Sequence, residues 1–275
     1  MLLYPTATEY FNSRDQGRAI VSYEAVLSNM SEVDASAMLD EARTYNEKLA
    51  TRGAMVWNPD EEEMAEYWSL LVPLKDNFGM MGHIEIEKLG VDLPLYHTVD
   101  EAALQVGVGH IPGSSLPVGG ESTHAVLSGH RGLPTSKLFT ELDKMQEGDL
   151  FSIFVLNQQM VYEVDQIRVV LPNEVSELRI EEGKDLVTLV TCTPYAINTH
   201  RLLVRGHRID YDVGIYVSAD ATQVDRVLVS SVIATPLLMA LLAYVLVRTS
   251  QRRARRKLGE ITPDQVKEAL REGKV

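Results

Sequence analysis

Between Ile84 and Val204 the chain passes through seven or eight short β-type runs with no regular helices between them, and this rhythm restricts the fold more than any other feature. Ile84 and Ile86 alternate with His83, Glu85 and Glu87, and Val91, Leu93 and Leu95 alternate with Asp92, Pro94 and Tyr96. Successive strand side chains point to opposite faces, so this alternation turns one face to a core and the other to solvent. Thr123–Ser128, Phe151–Val155, Met160–Leu171, Leu186–Thr191 and Leu202–Val204 extend the series between clusters of Gly, Pro, Asn and Asp. Phe151–Val155 and Met160–Val164 stand a few polar residues apart and read as a hairpin, and Lys137–Met145 is a helical candidate within the series. The pattern predicts an all-β barrel or sandwich.

The N-terminal flank differs. From Asp15 to Ala50 the chain reads as helix, with Val33, Met38, Ala42, Tyr45 and Leu49 near a 3.6-residue stripe. Between Gly53 and Pro73, Trp57-Asn58-Pro59-Asp60 forms a turn signal before the acidic helix start Glu61-Glu62-Glu63. This segment is either a plain connector or a mobile cover over a site.

The C-terminal flank carries a different signal. Val227 to Val247 are 21 residues without a charge, bracketed by Arg226 and Arg248. At 1.5 Å per residue they reach about 30 Å, enough to cross a hydrocarbon core. Arg248, Arg252, Arg253, Arg255, Arg256 and Lys257 follow, a cluster that stays cytoplasmic by the positive-inside rule. The net charge of −13 is uneven: residues from 248 onward carry +5, which leaves −18 on residues 1–247. An acidic body argues against nucleic-acid binding, which rests on clustered Lys and Arg. A body outside the membrane must be exported, and Met1-Leu2-Leu3 reads as the last turn of a preceding hydrophobic segment. Thr262-Pro263-Asp264 opens a short helix in the tail.

Three residues carry the chemistry. Cys192, the single cysteine, excludes an intrachain disulfide. It ends the run Thr188-Leu189-Val190-Thr191-Cys192, and Pro194 cannot continue a ladder, so the thiol is presented at a strand end. His130 lies between glycines in Ser128-Gly129-His130-Arg131-Gly132, and Arg201 opens the last strand. Taken singly, each has an ordinary explanation: a buried inert thiol, a structural imidazole, a solvated surface charge. Together they form a set for acyl transfer. An imidazole can hold a thiolate as an ion pair and return a proton to a leaving amine, and a guanidinium can stabilise an oxyanion. The seven histidines and one cysteine show no metal-ligand spacing such as His-x-x-x-His, and no cofactor is expected.

These segments resemble a known family. Thr188 to Cys192 fits the TLxTC signature of sortases, the cysteine transpeptidases of Gram-positive bacterial surfaces. STHAVLSGHRG, from Ser122 to Gly132, looks like the segment with the family's histidine, and TCTPYAINTHRLLVRG, from Thr191 to Gly206, like its cysteine-to-arginine segment. The resemblance covers roughly residues 80–211 and implies an eight-stranded sortase-type β-barrel. It implies Cys192 as nucleophile, His130 as acid/base and Arg201 as oxyanion or substrate stabiliser; Thr191 and Asn198 are candidate substrate-groove residues, and His124 and His200 read as structural. LPVGGESTHAVLSGHRGLPTSKLFTELD, from Leu116 to Asp143, is similar to class C, the pilus-building sortases, as are the N-terminal helical stretch and the C-terminal span. That class cuts LPxTG-like motifs between Thr and Gly and passes the acyl group to a pilin lysine amine. Many members carry a lid whose Asp-Pro-aromatic motif plugs the site. No Asp-Pro-Phe or Asp-Pro-Trp occurs between Leu49 and Pro73; Trp57 beside Asn58-Pro59 is the candidate plug, and Asn58 has no anion to pair with Arg201.

The implied layout is a helical region with a candidate lid near 53–73 (1–81), a catalytic barrel (82–211), a linker (212–226), one transmembrane helix (227–247) and a basic cytoplasmic tail (248–275). The expected partners are LPxTG-like surface or pilin proteins, an acceptor lysine and the membrane. Three alternatives share these features. A sortase of another class would attach proteins to peptidoglycan, and a cysteine protease would resolve the thioester with water. A non-enzymatic surface protein needs a cleavage motif ahead of its span, and Leu116-Pro117-Val118-Gly119-Gly120 lacks the threonine and lies far upstream.

Overall fold

A computed structural model describes residues 4–52, 59–74, 78–210, 238–250 and 263–272. The chain divides into two compact units, Met1–Tyr211 and Asp212–Val275. In the first, eight strands form a closed barrel: β1 (Met80–Ile86), β2 (Val91–Tyr96), β3 (Val108–His110), β4 (Thr123–Ser128), β5 (Leu150–Val155), β6 (Gln158–Val170), β7 (Asp185–Thr193) and β8 (His200–Arg208). Around the wall their order is β1-β2-β3-β4-β7-β8-β6-β5. The β2–β3 and β4–β7 pairs are parallel and the rest antiparallel. The β5–β6 hairpin turns on Leu156-Asn157 between the Val155–Gln158 rung.

Alternation sorts the wall as the sequence implies. Ile84, Leu95, Leu127, Ile153, Leu189 and Val204 face the common core, and all are fully buried. The intervening Val126, Val190 and Leu203 form a second apolar cluster with Leu178, against which Ile111 and Val170 pack. This smaller cluster lies on the outer face of β4, β7 and β8.

Three N-terminal helices precede the barrel: α1 (Tyr4–Asn29), α2 (Glu32–Arg52) and α3 (Glu61–Ser69). The single helix expected over Asp15–Ala50 is therefore two. Ser31 breaks it, its Oγ accepting the Asp34 N–H at 3.1 Å and capping α2. The restart shifts the buried face to Ala35, Leu39, Ala42, Tyr45 and Leu49, so Val33 is exposed. Lys137–Met145 is not an α-helix. Its amides bond three residues back, Thr140 to Lys137 and Leu142 to Phe139, closing in a 3₁₀ turn at Leu142–Lys144 while Phe139 enters the core. The short β3 and α4 (Glu101–Leu104) have too few residues to show a period.

The helices are pinned by buried polar contacts. The Tyr23 hydroxyl donates to Met81 O (2.7 Å) and accepts from the Leu156 N–H (2.8 Å). Asn46 exchanges two bonds with Leu116, as a strand neighbour would. Asp60 and Glu63 form a capping box at the start of α3. The Tyr67 hydroxyl, in α3, lies 2.7 Å from His97 O and 2.8 Å from His110 Nδ1. That hydroxyl donates its one proton to His97 O, and His110 Nε2 lies 2.8 Å from Ser115 O.

Burial pulls His110 down to about 3, against an ordinary value near 6.5. The unfolded chain takes up this proton first, so the ring's contribution to stability is complete above about pH 6.5 and is lost as pH falls toward 3. Burial also lowers His124, which acts in the same sense. The unfolding midpoint should therefore drop when pH falls from 7 to 5, and His110→Gln should make the drop shallower; equal slopes would exclude His110 as its source.

The second unit is helical at 238–250 and at Pro263–Arg271, and the apolar side chains of 238–247 are exposed. Among the described residues no helix is long and apolar enough to cross a membrane. Residues 227–237 of the expected span, the linker at 212–226 and Trp57 lie outside the described residues.

Candidate active site

Two of the three sequence-predicted residues, Cys192 and Arg201, lie on neighbouring strands at one end of the barrel, and His130 follows the end of β4. Cys192 is the direct cross-strand partner of Arg201 in the antiparallel β7–β8 ladder. Residues so paired have Cα atoms about 5 Å apart and side chains on the same face. That face is the outer one, because Val190 and Leu203, two residues back along each strand, belong to the outer cluster. On the other side of β7 the parallel strand β4 pairs Ser128 with Val190, and the Gly129 N–H extends the ladder to Val190 O at 3.0 Å. A Cβ on Gly129 would strike the core ring of Phe139 at 2.6 Å, so Gly129 faces inward and its neighbour His130 faces outward. Cys192 and Arg201 thus share the outer face, and the loop carrying His130 leaves β4 beside β7 at the same end of the barrel.

The loop carrying His130 is stapled to the strand carrying Cys192. Arg131, whose side chain is only 8% exposed, donates to Thr193 Oγ1 at 3.0 Å and pairs with Asp143. It joins the neighbours of His130 and Cys192. The Thr191 hydroxyl donates to Gly129 O at 2.8 Å, a second tie between the same strands. Gly132 adds a third contact. It holds a positive φ of 79°, and a Cβ there would meet the Tyr195 ring at 2.7 Å.

Each ligand-facing group has a definite setting. His130 is partly exposed, and its Nε2 lies 3.2 Å from Glu101 Oε2. Cys192 is a free, half-buried thiol. The Arg201 guanidinium donates to His200 O (3.2 Å) and Asn198 O (3.4 Å), folding back on the β7–β8 loop. In that loop Ala196 and Asn198 hold left-handed backbone at φ 64° and 59°. Tyr195 and Ile197 are exposed beside them.

Of the residues expected to line a groove, Asn198 is exposed on the β7–β8 loop, next to Arg201. Thr191 is 2% exposed and faces inward, so its position is that of a strand tie and not of a groove wall. His124 is buried, with Nδ1 on Arg179 O (2.8 Å) and Nε2 on Thr188 Oγ1 (2.7 Å), and His200 Nδ1 bonds Thr199 Oγ1. Sequence reasoning missed Glu101, Thr193 and the bridging part of Arg131. Arg131 stands in the quoted SGHRG run, but its partner Thr193 is 62 residues away and no spacing signals the bond.

Comparison with known proteins agrees with the barrel fold. Residues 84–209 match the family model described as Sortase domain. Sortase C1 of Streptococcus agalactiae is 49% identical, with a TM-score of 0.68, covering 71% of this chain and 100% of that one. Sortase C of Streptococcus pneumoniae is 40% identical, with a TM-score of 0.61, covering 70% of this chain and 97% of that one. The curated sortase D of Bacillus subtilis is 28% identical over 131 residues, a match to 46% of this chain that spans 63% of that relative's length. An eight-stranded closed barrel, the matched domain and these identities place the chain in one family: it belongs to the sortases, with class C enzymes among its structural neighbours.

Proposed function

We propose that this chain is a cysteine transpeptidase that cuts an LPxTG-like sorting motif and passes the acyl group to a lysine amine of a pilin subunit. The observation that carries the reading is the cross-strand pairing of Cys192 with Arg201 beside the stapled His130 loop. The Cys192 thiolate attacks the carbonyl carbon of the Thr–Gly bond, and the carbonyl electron pair moves onto oxygen. Arg201 and backbone N–H donors hold that oxyanion. Collapse breaks the C–N bond; the leaving amine takes a proton from His130, and a thioester remains on Cys192. An incoming amine then bonds the thioester carbon, gives its proton to His130 and expels the thiolate.

The class C neighbours support a pilin acceptor. Incubating the protein with an LPxTG-like peptide and a lysine-bearing pilin peptide should give a product joined through the lysine side chain, identified by mass spectrometry. Hydrolysis alone, or cleavage elsewhere in the motif, would reject the reading.

The proposed layout keeps 1–81 as the helical region, 82–211 as the catalytic barrel, 212–226 as linker, 227–247 as a membrane span and 248–275 as a cytoplasmic tail. It rests on the uncharged run and the basic cluster after it, and it sets the catalytic domain outside the cell membrane. Trp57 serves as a plug over the thiol in this reading. Trp57→Ala should then speed labelling of Cys192 by a thiol reagent, and an unchanged rate would make 53–73 a connector.

The Arg131 bridge carries a further expectation. Thr193→Val removes the acceptor at nearly constant volume, and Arg131→Gln removes the donor. Each should lower kcat by about tenfold or more, within the range for small misplacements of reacting groups, with KM little changed. A rise in KM alone would place the bridge in substrate binding.

A further inference from the structure

We propose that Glu101 is the seat for the acceptor's ammonium group, a carboxylate at the lip of the site that captures a protonated primary amine and holds it beside His130. This rests on the thioester reading above. Glu101 opens α4, between β2 and β3, and its Oε2 lies 3.2 Å from His130 Nε2. Its Oε1 accepts from Gln105 Nε2 at 3.4 Å.

Two roles compete for such a carboxylate: orienting the imidazole, or meeting a solute. Exposure decides between them. The Glu101 side chain is 69% exposed and the His130 side chain 26%. An ion pair this open to water favours its paired state by less than about fivefold, too little to fix a base in place. The same openness leaves the carboxylate within reach of an arriving cation, and its several acceptor sites allow an ammonium to bind while the ring contact persists.

The surrounding charges favour the second role. Two guanidiniums bear on the site: Arg131, tied to Asp143 and Thr193, and Arg201, bonded to backbone carbonyls. A lysine side chain arrives protonated, because its ordinary pKa is near 10.4, and meets these like charges. Asp143 is already engaged by Arg131. Among the described residues, Glu101 is the carboxylate in contact with His130. An ammonium held there lies beside the imidazole left neutral by the first half-reaction. One proton passes from the ammonium to His130, the freed nitrogen pair bonds the thioester carbon, the C–S electron pair leaves with Cys192, and the nitrogen's second surplus proton is lost to solvent water.

The test uses the full chain, an LPxTG-like peptide and two competing nucleophiles: Nα-acetyl-lysine amide, which is cationic, and hydroxylamine, which is neutral at neutral pH. For each, the ratio of aminolysis to hydrolysis is measured, a quantity independent of how fast the thioester forms. Glu101→Gln removes the charge at constant shape. It should lower the lysine ratio by about three- to fivefold while the hydroxylamine ratio holds, and Glu101→Asp should retain more of the lysine ratio than Gln does. If both ratios fall together, Glu101 acts through the imidazole and the proposal is overturned; an unmoved lysine ratio overturns it as well. Absence of any acyl-enzyme in the unaltered protein would instead remove the thioester reading, and this one with it.

Discussion

Cys192→Ala should abolish thioacyl formation with an LPxTG-like peptide and reduce product formation on the order of 10⁴-fold or more, the scale for loss of a catalytic nucleophile. The expectation follows from where the strand ends. β7 carries Cys192 one residue before its last, and Pro194 then removes a ladder N–H, so the thiol stands on the outer wall at the mouth of the β7–β8 loop. A methyl group there can neither bond the carbonyl carbon nor leave as a thiolate. The change removes no hydrogen-bond donor from the Arg131–Thr193 bridge or from the Thr191–Gly129 tie, so the fold and the peptide-binding surface should persist. Measured binding of the peptide to the variant separates lost chemistry from lost structure. An undiminished acyl-enzyme mass shift in Cys192→Ala would remove this residue as nucleophile.

Arg201→Ala should lower turnover by about 10²–10³-fold, the cost of removing one donor aimed at a developing oxyanion. The guanidinium starts on the same rung as the thiol, and its present bonds go to Asn198 O and His200 O, one of them long at 3.4 Å. Bonds to the carbonyls of Asn198, on the exposed loop, and of His200, at the start of β8, are exchanged for a charged acceptor at little cost, whereas a carboxylate partner would hold the group back. Because the charge develops in the transition state, the loss should appear in kcat more than in KM. Arg201→Lys keeps the charge but not the planar fork and should recover only part of the rate. Near-normal turnover in Arg201→Ala would reject the role.

How much of this was legible in the sequence depended on the range of the interaction. Alternation in β1, β2 and β4–β8 is written into neighbouring residues, and so were the barrel-or-sandwich class and the strand-end position of Cys192. That Cys192 would face Arg201 needed the register of β7 against β8, set by the Pro194–Thr199 loop, whose left-handed Ala196 and Asn198 have no reliable local signature. The break at Ser31 was available as a capping serine with Asp34 three residues on, and the longer apolar stripe obscured it. β3 and α4 are too short to carry a period, and α4 is where Glu101 sits. Arg131 reads as a charge between glycines until the barrel brings Thr193 to it. The Thr191 hydroxyl, beside Cys192 in sequence, points to the opposite face because strand neighbours always do.

The most direct test of the shared-surface account is to trap the reaction of the unaltered protein with an LPxTG-like peptide in acid, weigh the intact product and map the adduct. The account predicts one acyl group, cut after the motif's threonine, carried as a hydroxylamine-labile thioester on Cys192. An adduct on any other residue, or peptide cleavage with Cys192 never acylated, would contradict it.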